Sequence, residues 1–290
     1  MTESNEDKLG VELPPASSAM AEGEAFAQES AQEPAESSLS PQSNFHAEPQ
    51  LWDLVDLGLF VVFALGTVVI VGLAVMGGFK LLNTAFGWNL SLDSPGVQTP
   101  VAVLVQILWE LLWLGFIYQI VVVKCRWNFW RGLKWEETPV SVGTFLLGGF
   151  ALSIGVQMLS LLMPKRENLH IEQMFDTPLS AYLLAFFGVC IAPFMEELVF
   201  RGFVFPVLER RWGVGLAILL TGGVFAAIHA PQLGGGGPEL GAMLIVGLIL
   251  SLVRAKTGSL KPSFLVHLGY NSTLFILLFL TTNRFQTLSP

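Results

Sequence analysis

Seven apolar runs occupy most of residues 51–290, at 57–79, 101–123, 140–163, 179–200, 214–230, 240–253 and 263–282. A helix needs roughly 17–25 such residues to cross a bilayer. Lipid offers no partner for open backbone N–H and C=O groups, so runs of this length are helices. The sixth run has only 14 residues, about 21 Å at helical rise; it must tilt little, extend toward the adjoining glycines, or lie buried among neighbours. The composition agrees: 52% of the chain is hydrophobic and 13% charged, against about 25% charged in an ordinary soluble domain. The expected fold is all-α, a polytopic membrane helical bundle of about seven transmembrane helices.

The acidity lies elsewhere. Residues 1–50 carry ten acids and one base, Lys8, while the remainder is nearly balanced, so the net charge of −8 belongs to the N-terminal segment. That segment is rich in Glu, Ser, Ala, Pro and Gln. It has too few bulky apolar residues to offset chain entropy and is expected to be disordered. Its first residues, MTESNEDK, lack the basic start and apolar stretch of a secretory signal. Two domains follow: a disordered acidic tail, 1–50, and a transmembrane helical domain, 51–290. The cysteines, Cys125 and Cys190, have no metal-type spacing and are expected to be buried, reduced thiols. The four glycines at 234–237 lack a following Lys-Ser/Thr and form no phosphate loop.

Bases cluster in alternate loops: Lys124, Arg126, Arg131 and Lys134; Arg210 and Arg211; Arg254, Lys256 and Lys261. With seven alternating spans all three clusters share one side, which the positive-inside rule makes cytoplasmic. The N-terminus is then cytoplasmic. With no organelle signal in the chain, a bacterial plasma membrane is the expected location, with lipid as a partner and no nucleic acid.

Against this background the stretch FMEELVFRG, 194–202, stands out. A charge at mid-bilayer costs about 2.5–3.5 kcal/mol on insertion scales, and ionisable residues retained there are functional by default. Glu197 and Arg201 are spaced i,i+4 and share a helix face, so they can pair. Glu196 points about 100° away, without a sequence-local counter-ion, and is the candidate proton acceptor. The fifth run contains FAAIH, with Phe225 and His229 at i,i+4, and the seventh HLGYN, with His267 and Asn271 at the same spacing. If the chain turns at 211–214, Glu196 lies 14 residues above Arg210 and His229 14 above Gly215, each about 21 Å, so the two come level. Pro206 would kink or break the helix between them, and His267, only about 9 Å above Lys261, should lie shallower. Glu110, within WELLW, is an isolated carboxyl expected to face the bundle and hydrogen-bond there.

Taken in order, EELVFR, FAAIH and HLGYN resemble the three motifs of the intramembrane protease family that includes CAAX prenyl endopeptidases and bacteriocin-processing enzymes, the CPBP or Abi family. The resemblance covers 179–282; the first three spans and the tail lie outside it. It implies hydrolysis of a peptide bond in a membrane-associated or lipidated protein or peptide. Glu196 matches the catalytic glutamate, Glu197 and Arg201 the supporting pair, His229 the second-motif histidine, and His267 and Asn271 the third-motif residues. On this reading Glu196 and His229 deprotonate a water, and His267 and Asn271 donate to the developing oxyanion.

A metalloprotease-like alternative uses a divalent metal such as zinc, held by His229, His267 and Glu196; no HExxH is present, and the sequence requires no cofactor. Two other functions stay open. One is a non-catalytic scaffold or immunity protein of the same fold, against which stands the completeness of the motif set. The other is a proton-coupled transporter, which commonly shows paired broken helices in related halves; no internal repeat is visible here.

Overall fold

The computed structural model describes residues 51–94, 96–162, 174–233 and 237–286. The expectations for the tail at 1–50 and for the glycines at 234–236 lie outside these. The described chain is an all-α bundle: α1 (Leu54–Phe86), α2 (Gln98–Lys124), a short α3 (Phe129–Gly132), α4 (Val142–Ser160), α5 (Pro178–His229), α6 (Pro238–Thr257) and α7 (Leu260–Thr281). Six of these are long and apolar enough to cross a membrane.

The expected fourth and fifth spans are both contained in α5. At Gly213 the backbone leaves helical geometry, with φ 81° and ψ 165°, a conformation open to glycine and strained for other residues. The chain reverses there, inside the stretch where the sequence calls for a turn. The arms 178–212 and 214–229 lie side by side, with the rings of Phe200 and Phe225 edge to face at 5.5 Å.

Pro206 does not break the helix. The turns preceding it, Leu198–Val204, are π-helical, and a second π stretch, Phe187–Ile191, precedes Pro193. The wider turns absorb the N–H that each proline lacks. They leave Glu196 and Glu197 on a six-residue α segment, Ala192–Glu197, between two irregular ones.

The sixth span is longer than its apolar run. It gains half a turn at its start, Pro238, and a full turn at its end, closing on Gly258 in the left-handed conformation. Its basic end is partly internal: Arg254 is buried, donating from Nε to the Arg201 carbonyl at 3.2 Å. Cys125 is buried as expected, and burial pushes its thiol up from the usual range. Cys190 is exposed instead, because it faces outward from α5.

Two close approaches hold the inner helices together. α7 packs most extensively on α4, where a Cβ on Gly149 would sit 2.1 Å from the Val266 carbonyl oxygen and one on Gly269 2.4 Å from that of Leu146. The second arm of α5 meets α6 in the same way, through Gly222 and Gly247. At the base-rich end, the Leu260 N–H donates to the Lys134 carbonyl at 2.8 Å, Lys261 pairs with Glu137, and Arg210 donates to the Trp52 carbonyl at 2.6 Å. The clustered bases therefore share one end of the bundle.

Candidate active site

Three elements bring the motif residues together: the first arm of α5, its second arm, and α7. Glu196 Oε1 lies 3.7 Å from His229 Nε2, and Glu196 Oε2 lies 3.6 Å from His267 Nε2. His267 therefore comes level with the other two. Since it stands only about 9 Å above Lys261 by helical rise, the first arm of α5 reaches about 12 Å farther toward the base-rich end than α7 does.

The ring tautomers follow from the partners of the other nitrogens. His229 Nδ1 is 2.8 Å from the Phe225 carbonyl oxygen. A carbonyl only accepts, so Nδ1–H donates, and in the neutral ring Nε2 carries the lone pair on the side of Glu196. His267 Nδ1 is 3.0 Å from Glu197 Oε1. Glu197 is paired with Arg201 Nη1, also at 3.0 Å, so it accepts from His267 as a carboxylate, and the second Nε2 lone pair also faces Glu196. Carboxylate and imidazole lone pairs thus converge on one small region. Such a region attracts the hydrogens of a water molecule.

Glu196 and His229 keep side-chain exposures of 21% and 16%, whereas His267 keeps 3% and Glu197 and Arg201 none. The first two are open to a reactant and the last three are framework. Arg201 Nη2 donates to the Gly247 carbonyl at 2.9 Å, and its guanidinium lies 4.6 Å from the centre of the Phe225 ring. The same ring is 4.6 Å from that of His229 and 5.8 Å from that of His267. The phenylalanine of FAAIH thus props both histidines and the arginine. Trp135, Phe194 and Phe264 pack on one another with ring centres 5.5–5.9 Å apart; Phe194 and Phe264 lie two and three residues before Glu196 and His267.

Asn271 is placed differently. One turn beyond His267, its Nδ2 donates to the Gly188 carbonyl at 2.7 Å. It is half-buried and ties α7 to the π stretch of α5, with its second amide hydrogen uncommitted in that bond. Sequence reasoning missed the Gly247 carbonyl, Arg254 and Phe225's role as a prop. Of these only Phe225 carried a signal, its i,i+4 spacing from His229. As for a metal, each ring faces a different oxygen of Glu196, and among the described residues no three His, Cys, Asp or Glu side chains gather as a metal-holding group.

Residues 178–273 match the family described as type II CAAX prenyl endopeptidase Rce1-like. A 24.3 kDa protein of Escherichia coli, described as uncharacterized, is 33% identical over 143 residues, covering 47% of this chain. The match spans 60% of that relative's length. No solved structure matches the chain.

Proposed function

We propose that this chain, which belongs through residues 178–273 to the CAAX-type intramembrane protease family, is an endopeptidase that cuts a membrane-associated or lipidated protein or peptide with a water activated by Glu196 and His229. The observation that carries this reading is the convergence of the Glu196 carboxylate with the Nε2 atoms of two imidazoles, each ring fixed from behind. A water there hydrogen-bonds to Glu196 and to His229 Nε2, loses one proton to Glu196, and attacks the scissile carbonyl as hydroxide.

The developing oxyanion needs donors. Asn271 offers its second amide hydrogen. His267 donates only with a proton on Nε2, and the Glu197 carboxylate on its Nδ1 side stabilises that form. Arg201 balances Glu197, so the buried pair orients His267 without leaving an unpaired charge. The base-rich end of the bundle is assigned to the cytoplasm, with the N-terminus on that side, in a bacterial plasma membrane.

The test is Glu196→Gln, which preserves shape and removes the acceptor charge. Membrane peptides from cells with wild-type protein and with the variant are compared. A peptide that depends on Glu196, with variant protein at normal abundance, is the expected result. Identical peptide profiles would remove Glu196 from any hydrolytic role.

A further inference from the structure

Both Nδ1 hydrogens are committed, to the Phe225 carbonyl and to Glu197. Among the motif residues this leaves Glu196, protonated by the attacking water, to hand a proton to the leaving amine. A second acid in reach would let one carboxyl give a proton while the other holds one. Another buried acid lies within the electrostatic field of Glu196: Glu110 on α2, outside the family-matched segment.

Glu110 is 4% exposed. Its Oε1 accepts from Gln106 Nε2 at 3.0 Å, while its Oε2 is buried without a hydrogen-bond partner. Glu110 belongs to the inward stripe of α2 with Trp113, Leu114, Ile117 and Val121, which pack into the same core as Met195, Leu198 and Phe203 of α5. Depth can be read from the aromatic contacts. Phe60 of α1 touches Trp113 at 5.6 Å and Phe203 at 5.5 Å between ring centres, which puts those two residues near one level. Both helices run toward the base-rich end. Glu110 is three residues above Trp113, about 4.5 Å, and Glu196 seven above Phe203, about 10.5 Å. The two carboxyls thus differ in depth by only about 6 Å.

We propose that Glu110 is a positioning residue of the hydrolytic site, a carboxyl that keeps a proton available to the Glu196 cluster through water. The inference rests on the hydrolytic reading above. During the reaction the hydroxyl of the attacking water adds to the carbonyl carbon, and its remaining proton goes to Glu196. As the C–N bond breaks, Glu110 releases its proton through water to the amine nitrogen. Glu196 then returns the proton it took to Glu110. The net change is the addition of one water across one peptide bond. Gln106 holds Oε1, leaving Oε2 free to exchange the proton.

The test uses the full chain in native membranes and the peptide whose appearance depends on Glu196. Glu110→Gln keeps the acceptor for Gln106 and removes the exchangeable acid. The initial rate should fall at least about 10-fold, since proton transfer by a placed side chain contributes about 10²–10⁴-fold. Its solvent deuterium isotope effect should rise above the wild-type value, with protein abundance unchanged. A folding defect would scale the active fraction and leave the isotope effect where it was. Glu110→Asp is measured beside it: it keeps the acid and should outrun the Gln variant. A Glu110→Gln enzyme at wild-type rate, or a folded but inactive Glu110→Asp enzyme, overturns the proposal while the hydrolytic reading stands. If Glu196→Gln changes no peptide, the hydrolytic reading falls and this inference falls with it.

Discussion

Helices α1 and α5 both qualify as membrane spans, with hydropathies of 2.8 and 1.9 over their most apolar stretches, yet 17% of the first stretch is buried against 44% of the second. Helix α1 turns Val62, Leu65, Ile70 and Leu73 outward and runs 33 residues without a π turn. Helix α5 carries two π stretches, a fold-back and a fully buried ion pair. Hydropathy marks both as fit for lipid. What separates them is protein contact: α1 touches the bundle along a narrow stripe and is specified mainly at its base-rich end, whereas α5 is specified along its length.

The sharpest way to break that comparison is Glu197→Ala. It strands Arg201 and frees His267 Nδ1, so both framework and chemistry fail. Removing one partner of a buried pair typically costs about 3–5 kcal/mol. The expected outcome is a large drop in melting temperature in detergent, with loss of the Glu196-dependent peptide. Retained activity at a normal melting temperature would show that α5 is no more tightly specified than α1.

Glycine substitutions sharpen the contrast at intermediate size. A Cβ on Gly222 of α5 would meet the Leu248 backbone nitrogen at 2.9 Å, whereas one on Gly66 of α1 would meet nothing within 4 Å. Gly222→Ala should destabilise by about 1–3 kcal/mol through overpacking. Gly66→Ala should stabilise by about 0.5–1 kcal/mol by removing a mid-helix glycine. Thermal unfolding of the two variants, side by side, reads opposite signs.

Much of α5 was legible without coordinates, and the reasons are local. The Glu197–Arg201 pair lies within one helical turn, and the turn near 213 falls just before the second of two apolar runs, so counting residues brings Glu196 and His229 level. The depth of His267 was not legible. Its height depends on where α7 starts relative to α5, which the Leu260–Lys134 contact and the arms' unequal reach decide. Nor was the burial of Arg254, whose partners are the Arg201 carbonyl and the Phe205 ring, both far off in sequence. Apolar side chains suit lipid and protein interior equally, so the pattern names the spans without naming their inward faces. Gly149 and Gly269 show the same limit: each reads as an ordinary glycine until the other helix is placed against it.

The α1 side of the comparison has its own test at Asp56. Both of its carboxylate oxygens accept from Lys124 Nζ, at 2.6 and 2.7 Å, and Oδ2 also accepts from the Asp53 N–H at 3.0 Å. Asp56→Asn keeps an acceptor for the cap and removes the negative charge that faces Lys124. With Lys124 partly exposed, the expected cost is about 0.5–1 kcal/mol. It should be read as a small melting shift with activity intact. A loss comparable to that of Glu197→Ala would mean that α1 anchors the site rather than bordering it.

The smallest expected effect belongs to Asp53, the N-cap of α1. The backbone N–H groups of Asp56 and Val55 hold its carboxyl below the ordinary value of 3.8. A carboxyl whose folded value is depressed stabilises above its unfolded value and loses that contribution as pH falls through the folded one. The melting temperature of wild type should therefore exceed that of Asp53→Ala by a constant margin at neutral pH, and the margin should close as the pH drops below about 3.8. A margin independent of pH would assign the cap's contribution to geometry rather than charge. The Asp56–Lys124 pair would then be the electrostatic anchor of the first turn of α1, with Asp53 contributing shape alone.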